Sequence, residues 1–182
     1  MKFFAVVFFI SSMLSAQKVI LKDTITYREY SKLTWQDFKA KAPLDSPFSA
    51  SVSTGMGYKW SYSTSNGEID FSYSVKSSLY RNSSWSKYTE GKENVLSHEQ
   101  LHYDITELYA RKLRQALKDY KENGNLRNIR KSVTAIYESL EAERKAFQLQ
   151  YDAETNHSTN KEAQLQWNEK IALLLEEYKA FK

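Results

Sequence analysis

The sequence predicts an α+β fold, an N-terminal β-hairpin or small antiparallel sheet followed by a three-helix region. Three observations predict it. From Ala50 to Leu79 apolar residues recur at every second position. Beyond Trp85 the repeat lengthens to about three and a half residues and stays there. The chain has 182 residues, enough for one domain with a sizeable core and too few for two of ordinary size.

The elements follow in order. The opening "MKFFAVVFFISSMLSAQ" has one lysine, an apolar run from Phe3 to Leu14 and small residues Ser15 and Ala16, the pattern of an export signal cut after residue 16. That leaves 17–182 as the single mature domain. The run is short for a membrane anchor, and no second run of spanning length follows. "YSKLTWQDFKAKAP" offers a helical turn capped at Thr34, with Trp35 and Phe38 as apolar anchors. Pro43 and Pro47 occupy the connection after it.

In the alternating region one strand carries Ala50, Val52, Met56, Tyr58, Trp60 and Tyr62, and the other Ile69, Phe71, Tyr73, Val75 and Leu79. Asn66-Gly67 between them suits the positive dihedrals of a tight turn, so the pair reads as a hairpin with one face buried. A first helix is expected from about Glu93 to Glu122, stopped by Asn123-Gly124. A second spans about Leu126 to Gln150 and repeats Ile129, Val133, Ile136, Leu140 and Phe147. A third runs from about Lys161 to the end and repeats Gln164, Trp167, Ile171, Leu174 and Tyr178.

Composition narrows the function. Hydrophobic residues make up 41% and charged residues 26%, which excludes a disordered chain. The net charge of +4 is scattered, without a basic run of the kind that binds nucleic acid or an anionic membrane. There is no cysteine, so neither a disulfide nor a cysteine-linked lipid is available.

The chemistry concentrates in "HEQLH". The chain has three histidines, and two of them, His98 and His102, stand four apart inside the first helix with Glu99 directly after the first. At about 100° per residue the two imidazoles are about 40° apart on one face, so both can reach one metal ion. Glu99, one residue displaced, is placed to take a proton from water at such a centre. The plain alternative is a solvated helix face with Glu99 paired to a lysine. Against it, both histidines share the angle of Ile105 and Tyr109 and therefore point inward, where an unliganded pair is costly to desolvate.

"LTWQDF", "SSW", "VLSHEQLHYDITELYARKLR" and "YDAETNHS", followed by Q and W, together resemble the bacterial family known as domain of unknown function 922, described as predicted secreted zinc-dependent proteases. The resemblance runs from about Lys32 to the C-terminus. It implies a zincin-like active-site helix, with His98 and His102 as zinc ligands and Glu99 as general base. The family block near Tyr151 usually reads Tyr-Asp-x-x-Thr-x-His-Gly. Ser158 stands here at the glycine.

A hydrolytic zinc needs a third protein ligand and an open position. A histidine six residues after His102 would mark one protease branch, but Leu108 holds that place. Another branch draws a glutamate from the next antiparallel helix; with the turn at Asn123-Gly124, Glu143 or Arg144 comes level with His102 or Tyr103. On position alone His157 reads as a loop histidine. The family block around it turns that reading towards a ligand, and a loop from Tyr151 could fold it over the end where His98 lies. His157 is therefore expected as the third ligand, ahead of Glu143. Asp152 and Glu154 then serve as acceptors for its second N–H. Tyr103 and Tyr151 could each offer a hydroxyl to an oxyanion, with core packing the ordinary role of both.

These readings converge on an exported zinc metallopeptidase that hydrolyses peptide bonds and takes a peptide or protein as partner, the hairpin edge pairing with extended substrate. Two alternatives accompany it: a non-catalytic zinc-stabilised binding module of the envelope, and a zinc amidase acting on cell-wall peptide.

Overall fold

The computed structural model describes residues 22–182. The expected export signal, residues 1–16, lies outside the described residues. The strands are β1 (Thr24–Thr26), β2 (Ala50–Ser51), β3 (Thr54–Ser65), β4 (Glu68–Tyr80) and β5 (Trp85–Ser86). The helices are α1 (Glu93–Asn123), α2 (Ile129–Thr155) and α3 (Lys161–Glu177). No described helix is long and apolar enough to cross a membrane. The arrangement is α+β, sheet first and helices after, as the change of period predicts.

β3 and β4 form the predicted hairpin, in register from Thr54 opposite Leu79 to Ser65 opposite Glu68, but its first strand begins at Thr54, so Ala50 falls in β2 and Val52 between the two strands. Asn66 and Gly67 turn it with φ of 52° and 80°, the left-handed pair a two-residue loop needs. β1 adds to the far side of β4, giving the order β1-β4-β3, and leaves β3 at the edge. β2 and β5 make a separate two-stranded patch. Upstream, Trp35–Asp37 is one 3-10 turn, closed where Asp37 Oδ2 accepts from the Thr34 N–H at 2.8 Å and the Thr34 hydroxyl at 3.0 Å. Trp35 and Phe38 pack on each other there with ring centres 5.4 Å apart.

α1 is the centre of the molecule. One side packs on β3 and β4 and the other on α2 and α3, so apolar and polar residues alike are buried round its circumference, from Leu101 and Tyr103 to Leu113 and Leu117. Met56, Phe71 and Val75 of the hairpin meet Ile105, Leu108 and Leu113 of α1, and Trp167 and Ile171 of α3 close the core from behind. A helix buried through its middle turns is thus the platform from which the HEQLH residues project.

α2 departs from expectation at both ends. A 3-10 turn at Leu126–Asn128, capped by Asn125, whose side chain accepts from the Arg127 N–H, precedes it. The connection is therefore longer than a tight turn at Asn123-Gly124, and α2 is displaced by about one turn relative to α1. Gln148, rather than Glu143 or Arg144, faces His102. α2 also continues past Gln150 to Thr155, because buried Tyr151 still packs against α1 and the Thr155 hydroxyl donates to the Tyr151 carbonyl at 2.7 Å. Asn156, in the left-handed conformation with φ 44°, ends it.

Candidate metal centre

α1 presents His98 and His102 on adjacent turns, and α2 brings Asp152 against both. His98 Nε2 lies 3.1 Å from Asp152 Oδ1, His102 Nε2 lies 3.0 Å from the same oxygen, and the two Nε2 atoms are 3.2 Å apart. The three atoms make a nearly equilateral triangle. His98 is buried, and His102 and Asp152 are half-buried.

What surrounds the triangle sets its charge. Gln148 donates from Nε2 to the His102 carbonyl at 3.1 Å, an atom that can only accept, so its Oε1 is the atom that meets His102 Nδ1. Gln164 of α3 donates from Nε2 to Asn168 Oδ1 at 2.9 Å and turns its Oε1 to His98 Nδ1 at 3.1 Å. Each Nδ1 therefore carries the proton, and each Nε2 directs a lone pair at the other and at a carboxylate oxygen. Three lone pairs at about 3 Å repel unless a cation lies among them. Tetrahedral ligands at 2.0–2.1 Å from zinc stand about 3.4 Å apart, and the observed edges come within a few tenths of an ångström of that. The group His98, His102 and Asp152 fits a metal ion.

In its absence a proton can supply the charge. Burial works against an ionised His102, but the hydrogen bond to Asp152 and the charges of Glu99 and Asp152 outweigh it, and its pKa moves up. Burial likewise works against an ionised Asp152, yet the hydrogen bonds and charges of the two histidines hold its carboxyl well below the usual carboxylate range.

Glu99 sits beside this group, buried, with Oε2 accepting from the Val52 N–H at 2.7 Å. Burial pushes its pKa up, partly offset by the two histidines and the Val52 hydrogen bond. The carboxylate is thus a stronger base than one in water. It opens with His98, His102 and Asp152 into a cleft of about 1020 Å³, with Phe48, Val52, Val95 and Leu149 among its walls.

The remaining sequence candidates fall in different places. His157 follows the α2 cap and lines the cleft, its Nδ1 3.7 Å from Asp152 Oδ1 and its ring 4.7 Å from Phe48. It is half exposed and stands outside the three-residue group. Asp152, expected as a supporting acceptor, is the third member instead. Glu143 is exposed and does not line the cleft. Glu154 turns away to accept from Trp167 Nε1 at 2.7 Å. Tyr151 is fully buried, its hydroxyl engaged by the His98 carbonyl and Gln164, and Tyr103 packs in the smaller core cluster on the β1 side. Both tyrosines are packing residues.

Sequence reasoning missed Gln148 and the role of Gln164. Gln164 was visible as a polar residue on the apolar stripe of the third helix; Gln148 gave no such signal, because its partner depends on the register of α2.

Residues 25–158 match the family described as "Bacterial protein of unknown function (DUF922)". The chain belongs to this family. The DUF922 match takes in both sheets but for Thr24, α1, α2 and the whole His98, His102, Asp152 group, and stops before α3, so Gln164 is contributed from outside it. Its last residue, Ser158, has φ 76° and is the third left-handed residue in a row after Asn156 and His157. Glycine adopts that backbone conformation readily and serine rarely. No curated protein and no solved structure matches the chain.

Proposed function

We propose that this DUF922 protein is an exported zinc-dependent peptidase in which His98, His102 and Asp152 hold the metal and Glu99 is the general base. The observation that carries the reading is the triangle of inward lone pairs with a buried glutamate, held by the Val52 N–H, beside it. Two histidines and a carboxylate also suit iron; Glu99 favours zinc, since a proton acceptor at that position is what hydrolysis requires and what oxygen chemistry does not.

A zinc ion held there supplies a Lewis acid and acidifies water. The chain's own residues do the rest. Gln148 and Gln164 keep both Nδ1 atoms protonated and both rings oriented. The Val52 N–H holds the Glu99 carboxylate beside the centre, where it accepts a proton from water and returns it to the leaving amine. The walls from Pro47 to Thr54 bring backbone along one side of the cleft for an extended peptide.

Glu99→Gln tests this. Zinc content should stay stoichiometric while hydrolysis of a peptide library falls at least about 100-fold, the usual effect of losing an acid–base group. Unchanged hydrolysis removes Glu99 from the mechanism. One observation favours a second reading: His157 Nδ1, 3.7 Å from Asp152 Oδ1, is near enough to serve as a fourth donor, and four protein ligands make a structural site of a zinc-stabilised binding module. Bound zinc with no cleavage of any peptide would select that reading.

A further inference from the structure

Arg144 is a nearly buried cation, 8% exposed, in the wall of the metal cleft. Its Nε and Nη2 each donate to Glu141 at 2.8 Å. A guanidinium carries five N–H groups, so this fork leaves three. The remaining contact is Nη1 to the Thr106 hydroxyl at 3.4 Å, and that oxygen is already taken. Thr106 spends its own proton on the His102 carbonyl at 3.0 Å, and its lone pairs face Thr54 Oγ1 at 2.8 Å and Gln148 Nε2 at 3.2 Å. Three donors compete for two lone pairs, and Arg144 is the most distant. Arg144 lines the cleft, so the guanidinium hydrogens that Glu141 does not hold can meet a ligand there, and an anion is the partner they bind most strongly.

The neighbourhood agrees in sign. Lys145 lines the same cleft at the surface, with Nζ 3.7 Å from Glu141, so one carboxylate faces two cations. Arg144 lies two turns before Asp152 on α2, about 12 Å along the axis, and contacts Thr106 one turn beyond His102, about 6 Å. An extended peptide covers about 6–12 Å in about two to four residues.

We propose that Arg144, with Lys145 beside it, is a carboxylate-binding subsite of the cleft, and that its ligand is a peptide with a free carboxylate about two to four residues from the bond held at the metal centre. The nature of the ligand rests on the peptidase reading; the anion preference stands on Arg144 alone. The planar fork suits a carboxylate bidentately and sets which bond reaches the centre.

The test uses tetra-alanine with a free C-terminus, its C-terminal amide, and that amide with one alanine replaced by aspartate, titrated calorimetrically into full-length zinc-loaded Glu99→Gln. The acid should bind at least about tenfold more tightly than the amide, as expected for a charge-assisted hydrogen bond. Adding Arg144→Gln should bring the two to within about twofold, while Lys145→Gln should keep most of the difference. The aspartate peptide separates the two sources of carboxylate: affinity near that of the acid assigns a side chain, affinity near that of the amide assigns the C-terminus. Equal binding of acid and amide, or a preference that survives Arg144→Gln, overturns the subsite. Should circular dichroism show Arg144→Gln unfolded, Arg144→Lys keeps the charge without the fork, and an undiminished preference in it overturns the proposal equally. Turnover of the same peptides by the unmutated protein keeps the two readings apart. Selective binding without cleavage leaves the subsite and removes the peptidase, and cleavage of acid and amide with equal kcat/KM does the reverse.

Discussion

Replacing Asp152 by alanine removes one vertex of the triangle and leaves both histidines in place, each still oriented by its glutamine. Supporting residues one step removed from a metal change affinity by about 10–100-fold, so loss of a direct ligand should cost at least about 100-fold. Zinc at 100 times the wild-type Kd stabilises the folded state by about 2.7 kcal/mol. At about 2–4 °C per kcal/mol for a chain of this size, the unfolding midpoint rises by about 5–11 °C. The same zinc concentration then only equals the Kd of Asp152→Ala, which gives about 0.4 kcal/mol and a rise of no more than about 2 °C. His157→Ala, whose ring stands outside the group, should keep most of the wild-type rise, and Glu143→Ala all of it. Thermal unfolding followed by circular dichroism, with and without zinc for each variant, reads these differences against each variant's own metal-free midpoint. A full zinc-induced rise in Asp152→Ala, or its loss in His157→Ala, would refute the assignment and return the third ligand to His157.

Three further outcomes follow from the same geometry. In the metal-free protein His102 and Glu99 both have raised pKa values, so the stability tied to their protonated forms is present below their unfolded values, about 6.5 and 4.3, and is lost as pH rises through the folded ones; the metal-free midpoint should fall from pH 6.5 to 8, while the zinc-loaded midpoint rises because zinc displaces the His102 proton. Gln148→Leu removes the acceptor of His102 Nδ1 and should weaken zinc about 10–100-fold in a chelator competition, with the far-ultraviolet spectrum unchanged; unaltered affinity would mean that Gln148 does not orient the ring. Ser158→Gly relieves a left-handed residue and should raise stability by about 0.5–1 kcal/mol in denaturant titrations, a gain that is absent if the run from Asn156 to Ser158 is unstrained.

Much of the fold is legible in the sequence because it is governed by period. Alternation over the hairpin and Asn66-Gly67 at its tip determine both strands and their register, and the longer repeat marks all three helices. The short strands are a different matter. β1, β2 and β5 have two or three residues each, too few to establish a period, and they form because β4 and the neighbouring loops offer partners rather than through any local preference. The end of α2 is also set from outside. Nothing between Gln150 and Thr155 breaks a helix, and the burial of Tyr151 against α1 keeps it going until Asn156 takes the left-handed cap.

The candidate site divides along the same line. His98, Glu99 and His102 are legible because a helix fixes residues four apart whatever surrounds it. The third member depends on how α2 slides along α1, and a connection longer by one 3-10 turn moves that register by about one helical turn. A turn is enough to take Glu143 out of reach and bring Gln148 and Asp152 in. It also changes what the site demands. With neutral carboxamides outside and Asp152 inside, both imidazoles are held with their lone pairs inward, and the centre is left needing one positive charge that only a proton or a metal ion can bring.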